Sequence, residues 1–276
     1  MASRFWVGGT GTWDASSTTH WAASSGGASG ASVPGASDTV TFDNNSGAGT
    51  VTVATDINIQ SLTLSANSGQ TLDFSANNNN VTIGTFTSTG AGTRTLNMGN
   101  GTWTITGTAG NVWDAGGGVL TLNANSSVLT FSATSASSRT MTATAAKTYA
   151  TVNVPANTAG GSFTIAGAPT IGTLNITGPN YVRFTNSTTT TISNFSVSGS
   201  STGQLLMEST SPSAAATVSV SSGTVTPQWA AIRGLTFSGG ATFTASSSFD
   251  LGQNSGITIN PPSGGGHVAS RQQLGM

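Results

Sequence analysis

The sequence predicts an all-β chain: a single-chain parallel β-helix (β-solenoid) with three strands per turn and an N-terminal Trp-rich cap. Each turn should take about 20–24 residues. Three observations carry this. The first is a recurring motif in which an apolar residue is followed three places later by a second, and two places after that by a third. It is written at Ile59-Gln60-Ser61-Leu62-Thr63-Leu64, Tyr149-Ala150-Thr151-Val152-Asn153-Val154, Ile171-Gly172-Thr173-Leu174-Asn175-Ile176, Ile192-Ser193-Asn194-Phe195-Ser196-Val197 and Ile232-Arg233-Gly234-Leu235-Thr236-Phe237. A partial copy stands at Ile83-Gly84-Thr85-Phe86. Successive copies start 24, 66, 22, 21 and 40 residues apart, multiples of one stacking unit.

The second observation is alternation. Within each short segment apolar residues fall at i and i+2 with Thr or Asn between, the period of a strand with one buried face. Antiparallel hairpins alternate in the same way. Recurrence of like segments at a fixed step favours a coil, in which equivalent strands lie above one another. The third observation is composition. Hydrophobic residues make up 36% and charged residues 5% of the 276-residue chain, with a formal net charge of −1. Disorder requires low hydrophobicity together with high net charge, so it is disfavoured. Thr favours strands, and Gly and Asn favour corners with positive φ.

Residues 1–48 form a distinct opening module. Trp6, Trp13 and Trp21 stand among Gly and Ser, followed by Pro34 and by Asp38-Thr39-Val40-Thr41-Phe42-Asp43. A solenoid end exposes an apolar cross-section and unpaired edges, so a cap is required, and large rings suit it. These three tryptophans are the candidates for cap or attachment. Residues 49–260 carry the β-helix. A second register, Thr71-Leu72-Asp73-Phe74, Thr95-Leu96-Asn97-Met98 and Val119-Leu120-Thr121-Leu122, repeats every 24 residues with Leu72, Leu96 and Leu120 equivalent. Each copy leads through an Asn/Gly corner to another strand: Val81-Thr82-Ile83, Trp103-Thr104-Ile105 and Leu129-Thr130-Phe131. Residues 200–230 lose the pattern, and Leu205-Leu206-Met207-Glu208 reads as an insertion or a distorted rung. Residues 261–276, opening Pro261-Pro262-Ser263-Gly264, lack periodicity and read as an extended C-terminal tail.

Chemistry is sparse. The eight acids are Asp14, Asp38, Asp43, Asp56, Asp73, Asp114, Glu208 and Asp250. Paired catalytic carboxylates need to face one another across a cleft. On a coil such a pair stands one turn apart in equivalent slots, and no two acids do so in this register. The chain is therefore expected to be non-enzymatic, with no catalytic residue, no metal site and no cofactor. Cysteine is absent, and His20 and His267 lack partners at ligand spacing. Near-zero charge gives no footprint for nucleic acid, and no apolar run is long enough to span a membrane. The opening lacks the basic-then-apolar pattern of an export signal, which predicts assembly in the cytoplasm. Trp103 falls at an inward position. Trp113 and Trp229 lie near corners and are the candidates for partner-facing aromatics.

The run from Phe5 to Asp14, with Trp21, Pro34 and Asp38 to Asp43, resembles the opening of β-solenoid structural proteins of tailed bacteriophages. Similar Trp/Gly openings occur in secreted bacterial adhesins. The phage resemblance covers about the first 43 residues. It implies a surface-exposed virion protein assembled in the host cytoplasm: a capsid decoration (cement) protein or head fibre, or else a tail-fibre or tailspike-type adhesin binding host-surface glycan. It further implies capsid or tail proteins as partners, and a homo-oligomer, often a trimer.

Overall fold

The computed structural model describes residues 1–65, 69–117, 119–144 and 147–263. The tail predicted over 261–276 lies, from residue 264 on, outside the described residues. The chain is all-β, with parallel strands stacked as a β-solenoid. Its one helical element among the described residues is the single 3-10 turn Asn44–Ser46, started by a capping box on Asp43. Two compact units are distinguished, residues 1–107, 111–131 and 147–150 in the first and the remainder in the second.

The first unit holds three parallel ladders. One runs through Ser3–Trp6, Thr39–Phe42 and the second halves of Ile57–Ser65 and Val81–Thr89 to Trp113 and Asp114. Another stacks Gly11–Trp13, Gly49–Val53, Gln70–Asp73, Thr93–Asn97 and Val119–Asn123. The third takes the first halves of Ile57–Ser65 and Val81–Thr89, then Thr102–Ile105 and Val128–Phe131. The nine-residue strand Ile57–Ser65 explains the sequence motif. Ile57, Ile59, Leu62 and Leu64 are buried, while Gln60 and Ser61 both face outward. Two outward residues in succession mark the corner; the three-residue step crosses it, and the two-residue step resumes alternation. Ile192 to Val197 repeats this pattern in the second unit.

Leu72 and Leu96 pair in register as expected. The next partner of Leu96 is Leu122, and Leu120 lies opposite Arg94. The register reading at Leu120 is thus corrected by two residues. The added length sits between Ile105 and Trp113, eight positions apart, where the turn below uses three from Ile83 to Phe86.

The second unit stacks Arg139–Ala143, Ser162–Gly167, Asn180–Phe184, Leu205–Ser209, Ala230–Arg233 and Phe249–Asp250 in one parallel ladder. Leu205–Ser209 is therefore a regular rung, buried at every position, and not an insertion. Its sequence hides the alternation because Leu206 and Glu208, on the outward side, are covered by neighbours. Thr170–Thr177 and Thr189–Ser198 pair over their whole shared length. Ile232 proves equivalent to Val182 and Met207, not to Ile171 and Ile192. Gly234, with φ +63°, turns the chain between Ile232 and Leu235, which belong to different strands.

Where strands end, backbone carbonyls lose their ladder partners and side-chain donors collect them. In the first unit Asn77 and Asn79 donate to Val53 O at 3.2 and 2.8 Å. The buried Arg94 guanidinium reaches Gly92 O at 2.8 Å and Gly90 O at 3.4 Å. Lys147 Nζ donates to Leu120 O. Burial lowers the pKa of both cations, and the carbonyl dipoles replace part of the water each has lost. In the second unit Asn180 Nδ2 donates to Pro155 O at 2.8 Å, and Asn254 Nδ2 to Ile232 O at 2.7 Å. Two rung ends require glycine outright. A Cβ on Gly167 (φ +87°) would stand 1.7 Å from Ala143 O, and one on Gly239 (φ +97°) 2.0 Å from Val220 O.

Asn157 uses both ends of its amide at a corner. Its Nδ2 donates to Ser135 O at 2.9 Å and Gly161 O at 2.7 Å, and its Oδ1 accepts from Ser135 N at 2.9 Å. Replacing it removes the partners of Ser135 N and Gly161 O and one of the two donors to Ser135 O, which keeps Gly161 N at 3.0 Å. Asn157→Ala is expected to cost about 2–4 kcal/mol, measured as a lowered midpoint in guanidinium unfolding with an unchanged slope.

Candidate functional site

Trp6, Trp13 and Trp21 are all buried, at 1% exposure or less. Trp21 stands edge-on to Trp6 at 5.1 Å and to Trp13 at 4.9 Å, over Phe42. His20 stacks flat on Trp6 at 4.6 Å, with its Nδ1 2.8 Å from Val7 O. The rings form the core of the opening module, and their faces are turned to one another.

Trp103 is in the core as expected, its Nε1 donating to Met98 O at 3.1 Å. Trp113, expected at the surface, is also fully buried. It pairs in register with Phe86, stands edge-on to Trp103 at 5.9 Å and donates from Nε1 to Tyr149 Oη at 2.9 Å. The extra chain before it shifts the phase, so Val112 and Trp113 are buried in succession and no alternation signals the strand. Trp113 is thus core and not partner-facing. Trp229 is half-buried with φ +51°, a strained value for a bulky residue; of the two corner tryptophans it alone keeps surface.

The aspartates do turn chemistry. Asp14 accepts from Ser16 N at 2.8 Å and Ser17 N at 2.6 Å. Asp38 accepts from Gly35 N at 3.1 Å and Ala2 N at 2.8 Å. These backbone donors hold both carboxyls below the usual aspartate range. Asp56, Asp73, Asp114 and Asp250 likewise accept from Asn80, Ser75, Gly116 and Gly252 N–H groups at 2.8–2.9 Å. Among the described residues no three His, Cys, Asp or Glu gather as a metal site would.

Among the described residues, charge gathers in the second unit. Arg183, Glu208 and Arg233 occupy the same slot on three successive rungs. Glu208 is 1% exposed. Its Oε2 takes Arg233 Nη2 at 2.5 Å, and its Oε1 takes the Tyr181 hydroxyl and lies 3.5 Å from Arg183 Nε. Arg183 Nη2 also donates to Thr210 O at 2.9 Å. A carboxylate surrounded by three donors is a poor general base and a good clasp between rungs. In the linear chain these residues stand far apart. Their spacing of 25 residues each way, one turn, was the signal that could have found them.

Concavities of sugar-sized proportions occur in both units. In the first unit one of about 500 Å³ is lined by Ser75, Asn97, Leu122, Asn123 and Thr148, and Asn123 Nδ2 donates to Asn97 Oδ1 at 2.8 Å. In the second unit one of about 260 Å³ is lined by Asn175, Asn194, Ser196, Ser222 and Thr224, among others. No described protein family, curated protein or solved structure matches the chain.

Two outcomes follow. Glu208→Gln leaves both guanidiniums without their carboxylate; because each is about a third exposed, the expected loss is about 1–3 kcal/mol by denaturant unfolding. Burial, the largest effect, raises the Tyr149 hydroxyl pKa far above its ordinary value, with Asp114 adding to it. The folded pKa exceeds the unfolded one, near 10, so this stabilisation is whole below about pH 10 and declines above it. In a Tyr181→Phe variant, tyrosinate absorbance is expected only as the protein unfolds in alkali, not as a titration near pH 10.

Proposed function

We propose that the protein is a non-enzymatic structural component of a tailed-bacteriophage virion, a surface β-solenoid that decorates the capsid as a cement protein or head fibre. The observation that carries this reading is the opening module. The Trp/Gly signature through which the sequence resembles phage solenoid proteins closes into a buried aromatic cluster ending in parallel rungs. Low charge, turn-bound aspartates and a clasped Glu208 support a building role rather than catalysis. Residues 1–48 and 261–276 depart from the repeat and are the attachment elements. Partners on this reading are other virion proteins and further copies of the chain, including a trimer.

The second reading is a tail-fibre or tailspike-type adhesin that binds host-surface glycan. The concavity lined by Asn194, Ser196, Ser222 and Thr224 favours it, a recess with hydroxyl and amide groups and no charged side chain. The test uses purified full-length protein, heads lacking it, and isolated tails. Binding to heads, with a rise in the temperature at which they release DNA, is expected. Binding to tails alone overturns the capsid assignment in favour of the second reading.

A further inference from the structure

We propose that Asn100 with Gly101 is a site of spontaneous covalent modification, at which the folded protein converts Asn100 to aspartate through a cyclic imide. The pair is the chain's single Asn–Gly dipeptide. It closes the corner between Thr93–Asn97 and Thr102–Ile105 in the first unit. Packing requires the glycine. A Cβ at 101 would stand 2.2 Å from Asn79 O and 2.8 Å from Asn78 O, carbonyls of the corner one turn below. The fold therefore sets the one residue type that leaves its backbone nitrogen unshielded directly after an exposed asparagine.

The surroundings of Asn100 suit the reaction. Its backbone N–H donates to Asn78 Oδ1 at 2.9 Å, and its own Oδ1 accepts from Ser126 N at 3.2 Å. The Ser126 N–H polarises the side-chain carbonyl and stabilises the charge that Oδ1 gains when Cγ becomes tetrahedral. Among the described residues nothing accepts from Asn100 Nδ2. Asn77, Asn79, Asn157 and Asn254 instead commit Nδ2 to backbone carbonyls, so its loss there would strip an acceptor of its donor. At Asn100 the Gly101 nitrogen gives its proton to solvent base and bonds to Cγ. The Cγ–Nδ2 bond breaks, and Nδ2 takes a proton from water and leaves as ammonia. Water then opens the ring at Cγ, returning the Gly101 N–H and leaving aspartate. Opening at the main-chain carbonyl carbon gives isoaspartate instead, with the chain routed through Cβ. Aspartate keeps the corner, because a carboxylate oxygen still accepts from Ser126 N, now with charge. Isoaspartate lengthens the main chain just before Thr102, whose N–H donates to Asn80 Oδ1 at 3.0 Å, and so disturbs the rung. Each conversion adds one negative charge to a chain whose formal net charge is −1.

The experiment incubates full-length protein at mildly alkaline pH, native and in guanidinium, and follows it by isoelectric focusing and peptide mass spectrometry. An isoaspartate-specific methyltransferase distinguishes the two products. Native protein is expected to gain one acidic band, assigned to residue 100 and formed before any other asparagine reacts. The native rate should be no lower than the rate in guanidinium, with aspartate as the chief product. Asn100→Ser should abolish the band, and Asn100→Asp should focus with it and unfold at an unchanged denaturant midpoint. Conversion at Asn100 that is absent or slower in native protein than in guanidinium overturns the proposal, since the fold then protects the amide. A first native conversion at another asparagine, or isoaspartate as the chief native product, overturns it as well.

Discussion

A parallel coil satisfies its backbone between rungs, and the pairing lapses at the corners, where the chain must turn while its carbonyls still face protein. What happens to those carbonyls decides whether a sequence with so little apolar material can close a core. Here each unit solves the problem with side-chain donors. Asn77, Asn79, Arg94 and Lys147 gather carbonyls in the first, and Asn157, Asn180 and Asn254 do so in the second. With the corners satisfied, columns such as Val81, Trp103 and Leu129 stack without interruption, each buried side chain contributing about 1.5–3 kcal/mol. Without those donors the same columns would sit beside unpaired polar groups, whose cost is of similar size.

Alternation and a fixed step are properties of the backbone's own geometry, and both were legible in the sequence. Ile59 over Ile83, Leu72 over Leu96 and Ile171 over Ile192 pair as the motif spacing required. Reading failed where a corner changed length. Extra residues between Ile105 and Trp113 moved Leu120 out of its assigned slot and carried Trp113 from a supposed surface into the core. It failed again at Leu205 to Ser209, where the outward face is covered and the polar half of the pattern vanishes. Corner length and outer cover depend on contacts between residues a turn apart, which no local window contains.

The same limit governed the sites. The tryptophans at 6, 13 and 21 were grouped correctly because they lie close in sequence and pack on one another. The Arg183, Glu208 and Arg233 clasp is not legible locally, because its charges stand singly in the chain and meet only when the rungs stack.

Drawing cations inward has a chemical corollary. Lys147 is the chain's single lysine, and its amine is enclosed against Leu120 O; Arg94 and Arg139 are enclosed as well. Reagents that seek amines, and digestive proteases that cut after basic residues, therefore meet few accessible targets within the folded coil. A molecule that met such enzymes outside a cell would owe its persistence as much to the whereabouts of its few basic groups as to the tightness of its winding.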